Sequence, residues 1–182
     1  MYVAVRHFSL CRLILIGLLL SQCPLLAADS VESSGSIVRT LIPAVAFGTT
    51  FYLHDREGRV QFYKSFFTNY ATTYALKEIS KKNRPDDSGD DSFPSGHTSV
   101  AFQGAAFIHR RYGLKYAIPA YLAAGYVGWT RVESDQHYVE DVVAGAALGI
   151  ASSFIFTHPY HDLVATPLVG DGFYGLVISR QW

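Results

Sequence analysis

Val60-Gln61-Phe62-Tyr63-Lys64-Ser65-Phe66-Phe67-Thr68-Asn69-Tyr70-Ala71-Thr72-Thr73-Tyr74-Ala75-Leu76-Lys77-Glu78-Ile79 is the stretch that decides the fold class. Its aromatic residues at 62, 66, 67, 70 and 74 recur every three or four positions, which is the period of an α-helix and not the alternation of a strand. The pattern continues outward on both sides. Upstream, residues 37–53 are apolar apart from Arg39, with Pro43 as a candidate kink. Downstream, uncharged segments at 98–108, 116–129 and 142–157 are separated by polar or basic turns. These five segments predict an all-α helical bundle. Residues 29–36 are polar, and Ser33-Ser34-Gly35-Ser36 reads as a linker. In the tail, residues 161–182, positions 173–178 read as a short strand.

The chain has 182 residues, which fits one domain. Charged residues are 16% and hydrophobic residues 49%, a balance that excludes disorder. Fifteen basic residues balance fifteen acidic ones, so no excess charge exists to neutralise a nucleic-acid backbone. Cys11 and Cys23 are the only cysteines, which excludes a disulfide framework or cysteine-based zinc site in the body.

Arg6 and Arg12 precede an uncharged run at 13–28 that ends in Leu26-Ala27-Ala28 before Asp29. Residues 1–28 therefore read as a secretory signal peptide or as an uncleaved first span. A lipoprotein anchor at Cys23 fits less well, because Gln22 precedes it. All three readings send the following chain out of the cytoplasm. The bundle itself, at 29–160, has segments of 11 to 17 apolar residues, short of the ~20 that a span needs. Dense Gly and Ala in the last two segments, with Tyr and Trp near segment ends, instead suit membrane helices. With the N-terminus inside, the inner turns hold Arg6, Arg12, Arg56, Arg59, Arg110, Arg111 and Lys115. The outer side holds Arg39, Lys77, Lys81, Lys82, Arg84 and Arg131.

Three polar junctions carry the chemistry. The first is Lys77-Glu78-Ile79-Ser80-Lys81-Lys82-Asn83-Arg84-Pro85. The second is Phe93-Pro94-Ser95-Gly96-His97-Thr98. The third is Thr130-Arg131-Val132-Glu133-Ser134-Asp135-Gln136-His137-Tyr138-Val139-Glu140-Asp141. Successive helices reverse direction, so these junctions converge on one end of the bundle. Pro94 and Gly96 suit a helix start, whose free N–H groups favour an anion. Arg84 and Arg131 can each grip phosphate oxygens in pairs, and Lys77 adds a point charge. Together they suit a dianionic tetrahedral group. His137 and Asp141, four apart, would share one helix face, with the carboxylate holding one ring nitrogen protonated. The other nitrogen is then free to attack phosphorus. His97, across the cations, can protonate the leaving oxygen and later activate water. Asp86, Asp87, Asp90 and Asp91 lack a calcium-loop pattern and read as loop-solvating charges. His158, His161 and Asp162 read as a solvated tail.

These stretches resemble the signature of the type 2 phosphatidic acid phosphatase superfamily, Lys-x6-Arg-Pro, Pro-Ser-Gly-His and Ser-Arg-x5-His-x3-Asp. The spacings match throughout, with Thr130 where the family usually has serine. The resemblance implies a helical bundle that hydrolyses phosphomonoesters or diphosphates without a metal or other cofactor. It implies His137 as nucleophile, Asp141 as its partner and His97 as acid and base. It implies Lys77, Arg84, Ser95, Gly96 and Arg131 as phosphate-binding residues. Many members are membrane lipid phosphatases with six spans and an outward-facing site. Their substrates include phosphatidic acid, phosphatidylglycerol phosphate, undecaprenyl diphosphate and lipid A. The expectation is an inner-membrane lipid phosphatase facing the periplasm. The alternatives are a soluble periplasmic acid phosphatase and, less favoured, a vanadium haloperoxidase. The oligomeric state is left open.

Overall fold

The computed structural model describes residues 28–160, 162–170 and 173–181. The leader expected at 1–28 lies outside the described residues except for Ala28. Five helices follow in order: α1 (Ala28–Tyr52), α2 (Arg56–Ser80), α3 (Gly96–Tyr112), α4 (Leu114–Glu133) and α5 (Val139–Phe156). Local chemistry sets their ends. The Asp55 carboxylate accepts from the Gly58 N–H at 2.8 Å and starts α2. Lys81, at φ 43°, closes the same helix in a left-handed conformation. Gly113, at φ 103°, separates α3 from α4, a conformation that a side chain would strain.

Helix α3 is central and touches all four others. Its contact with α5 is close because α5 presents glycine. A methyl group on Gly145 would lie 2.4 Å from the Ser95 carbonyl oxygen, and one on Gly149 would lie 2.3 Å from that of Ser99. Such small-residue seams let backbones approach where no larger side chain would fit. The apolar core is correspondingly lean: Ile42, Ala101, Ala105, Ala124 and Val127 form one cluster, and Ala46, Phe62, Phe107, Ile108 and Ala117 another.

The distribution of polarity is inverted relative to a water-soluble domain. Arg131, Gln103, Asn69 and Asp141 are among the most buried side chains. Phe67, Leu122, Val143 and Ile155 are each more than 60% exposed. Exposed apolar surface on this scale marks a lipid or partner interface. Among the described residues, α5 alone is both long and apolar enough to cross a bilayer by composition.

Two local expectations are overturned. Residues 33–36 are not a linker; they are helical, inside α1. Gly35 lies against Thr130, so close that a methyl group there would be 2.1 Å from its hydroxyl, and Ser34 meets Tyr126 at 2.8 Å. Tertiary contact thus overrides weak local helix propensity. The tail is a two-stranded antiparallel hairpin, β1 (Asp162–Gly170) with β2 (Phe173–Gln181), in which Gly170 faces Phe173. The strand expected at 173–178 is longer, Phe173–Gln181, and it pairs along its length with β1.

Candidate active site

The ends of α2 and α4, the starts of α3 and α5 and the first half of α1 meet at one end of the bundle. All eight residues singled out by the motifs gather there. Lys77 occupies the last turn of α2, Arg131 the last turn of α4, and Gly96 and His97 open α3.

The cations are held ready by the protein itself. Arg84 Nε and Nη2 grip the Asp91 carboxylate at 2.8 and 3.2 Å, and Nη1 donates to Gln136 Oε1. Lys77 Nζ donates to the Asp91 carbonyl and lies 3.7 Å from its carboxylate. Arg131, 1% exposed, donates from Nη2 to the Glu32 carbonyl at 2.6 Å, with Nη1 3.5 Å from the Glu32 carboxylate. The Arg84 contact holds the Asp91 carboxyl below the usual carboxylate range. Asp91 and Asp86 therefore do not merely solvate the loop. Asp91 occupies two of the phosphate-binding candidates, and Asp86 accepts from Gln136 at 2.8 Å.

The histidine–carboxylate pair departs from the expected geometry. His137 lies in the turn before α5, while Asp141 is in its first turn, so the two do not share a helix face. Their closest approach, Nδ1 to Oδ2, is 3.9 Å. Ser92 stands between them, its Oγ donating to Asp141 Oδ2 at 2.5 Å and lying 3.5 Å from His137 Nδ1. Asp141 also accepts from Lys82 Nζ at 2.7 Å and from the Tyr138 N–H at 3.0 Å. A fully buried carboxylate with these three donors has a fixed position. The His137 ring is 3% exposed, and its pKa falls to about 4, chiefly by burial and then by the Lys77 and Arg84 charges. The imidazole is therefore neutral at physiological pH, the form a nucleophile requires.

Across the site, His97 Nε2 lies 3.3 Å from Ser36 Oγ of α1. Ser95 caps α3 in extended conformation, and its N–H is taken by the Asp141 carbonyl at 2.9 Å. Gly96 and His97 leave first-turn N–H groups, which an α-helix cannot satisfy internally. Ser92, Lys82, Asp91, Gln136, Glu32 and Ser36 were not singled out by the sequence. Lys82 and Gln136 lie inside motif stretches, Asp91 and Ser92 just before one, Ser36 in the supposed linker and Glu32 just before it, and only the fold reveals their direction.

A family model, the PAP2 superfamily, matches residues 53–164. The lipid A 4′-phosphatase of Helicobacter pylori is 25% identical over 170 residues, 84% of this chain and 85% of that protein. The lipid A 1-phosphatase of Porphyromonas gingivalis is 40% identical over 70 residues, 37% of this chain but only 16% of that longer protein. The phosphatidylglycerolphosphate phosphatase of Bacillus subtilis, a transmembrane PAP2-type protein by its description, superposes with a TM-score of 0.54 at 28% identity over 71% of this chain and 72% of its own. Aquifex aeolicus LpxE shares the fold, with a TM-score of 0.61 at 22% identity, covering 79% of this chain and 92% of its own. The family match runs through all three motif stretches and through more than half of the sequence, and on that ground the chain belongs to the PAP2 superfamily.

Proposed function

We propose that this protein is a metal-independent phosphatase that hydrolyses a lipid phosphate or diphosphate through a phosphohistidine. One observation carries the reading: Lys77, Arg84 and Arg131 converge at the same end of the bundle as the buried His137 and a second histidine, His97. His137 Nε2 attacks phosphorus, and the bond to the leaving oxygen breaks as the N–P bond forms. His97, in its imidazolium form once the phosphate dianion lies against it, gives its proton to that oxygen and is left as neutral imidazole. Water then attacks the phosphohistidine, His97 takes the water proton, and the N–P bond breaks to release phosphate. The three cations, Ser95 and the Gly96 N–H hold the phosphoryl oxygens, where charge stabilisation is the larger catalytic contribution. Asp91 must give way as phosphate arrives.

The outward-facing aromatic and aliphatic side chains support a membrane setting, with the site on the periplasmic side of a bacterial inner membrane. On this reading residues 1–28 deliver or anchor the chain, and 29–160 form the catalytic bundle. The test is phosphate release in detergent with EDTA, offering phosphatidic acid, a polyprenyl diphosphate, lipid A and p-nitrophenyl phosphate. EDTA-resistant release from a lipid is expected. Release from the aryl phosphate alone would replace this reading with a non-specific acid phosphatase.

Two further results are expected. Because the folded His137 pKa lies below its ordinary 6.5, the neutral nucleophile persists as pH falls through 6.5 and is lost only near 4. The acid limb of kcat/KM assigned to this residue should therefore fall near pH 4 to 5, measured with a substrate whose own ionisation is known. Ser92→Ala removes the hydroxyl between His137 and Asp141. A hydrogen bond to a charged group is worth ~1.5–3 kcal/mol, so kcat should fall about 10- to 100-fold with KM little changed. Ser92→Thr should recover part of the loss.

A further inference from the structure

Resting on the phosphatase reading, one cation at the site is left without an occupation. Arg39 is the lone charge in residues 37–53 and lies in α1, half-buried. Glu32, Ser36 and Arg39 are spaced by four and three, so they share one helix face. Glu32 and Ser36 fix where that face points: one meets Arg131 and the other His97. Arg39 therefore lies one turn further along α1, about 4.5 Å beyond Ser36 along the axis.

The charges at the site fall into two sets. Those of Lys77 and Arg84 bear most on His137, and those of Arg39 and Arg131 bear most on His97. The first pair is occupied by Asp91, and Arg131 is tied to Glu32. Among the described residues Arg39 makes no hydrogen bond or ion pair. A charged side chain inside an otherwise apolar helical segment such as 37–53 is costly and marks function. Ile37, Leu41 and Val45 form an exposed apolar stripe on the opposite face of the same helix, so Arg39 points to the site and not outward.

His97 lies on the side from which the leaving group departs, so Arg39 neighbours the leaving group and not the transferred phosphoryl group. We propose that Arg39, with Ser36, forms a subsite for a second phosphate on the leaving group, which makes the preferred substrate a lipid diphosphate. The terminal phosphoryl group passes to His137 as the bridging P–O bond breaks. The bridging oxygen keeps the electron pair and leaves as a lipid monophosphate, whose growing charge Arg39 neutralises. Water then supplies the hydroxyl of the released phosphate.

The test compares farnesyl diphosphate with farnesyl phosphate, read as phosphate release in detergent micelles by the full chain, Arg39→Gln and Arg39→Lys. A charge-assisted contact of ~1.5–3 kcal/mol predicts that Arg39→Gln lowers the diphosphate-to-monophosphate ratio of kcat/KM about 10-fold or more. Arg39→Lys should recover part of that ratio, and measurable monophosphate turnover by Arg39→Gln shows that the variant is folded. An unchanged ratio in Arg39→Gln, or an unaltered enzyme that prefers the monophosphate, overturns the subsite and leaves the phosphatase reading standing. Absence of release from both compounds and from phosphatidic acid overturns the phosphatase reading and the subsite with it.

Discussion

Replacing His137 with alanine is expected to lower phosphate release by about 10⁴-fold or more, since loss of a covalent nucleophile removes the reaction path itself. The effect should fall on kcat. Lys77, Arg84 and Arg131 are positioned by Asp91, Gln136 and Glu32, none of which depends on the imidazole. Binding of phosphate, or of vanadate as its analogue, should therefore survive in the variant. Folding should survive as well, because the turn is held by backbone bonds from the Gln136 and His137 N–H groups to the Arg131 carbonyl, each 3.1 Å long. Thermal unfolding with and without vanadate checks both points. A variant that keeps a tenth of the activity would remove His137 from the mechanism.

The second large effect is expected at His97. General acid catalysis contributes ~10²–10⁴-fold, and its value depends on how poor the leaving group is. His97→Ala should therefore lose ~10²–10⁴-fold on a lipid monoester, whose alkoxide needs the proton. With p-nitrophenyl phosphate the phenolate leaves unaided, so the first step should be slowed much less. Water attack still lacks its base, and the phosphoenzyme should accumulate as a burst of p-nitrophenol followed by slow turnover. Equal losses on both substrates with no burst would assign His97 a positioning role.

Much of this was legible because the chemistry sits at helix junctions. The period of residues 60–79 and the uncharged segments downstream predict the five helices. The spacing from Arg131 to His137 and Asp141 brings those groups together wherever a turn separates two packed helices. What escaped the sequence depends on contacts between distant segments. Ser33-Ser34-Gly35-Ser36 has no helical signature of its own; it becomes helix because Gly35 fits against Thr130 and Ser36 reaches His97. Asp91 looks like one of four loop acids, and nothing in its neighbours says that it closes on Arg84. Asp141 sits four residues from His137, yet the start of α5 falls between them, which leaves room for Ser92 to intervene. β1 is set by its antiparallel pairing with β2, from Asp162 opposite Gln181 to Gly170 opposite Phe173, and that pairing is not visible in residues 173–178 alone.

The central claim is a phosphoryl group carried on His137. The most direct measurement is acid-free mass spectrometry of His97→Ala mixed briefly with p-nitrophenyl phosphate, alongside a variant that also carries His137→Ala. The account predicts one added phosphoryl group on His97→Ala, lost on exposure to acid as a phosphohistidine is, mapped to the peptide containing His137 and absent from the double variant. Turnover by the unaltered protein with no phosphoryl group trapped on that peptide, or the same adduct in the double variant, would contradict it.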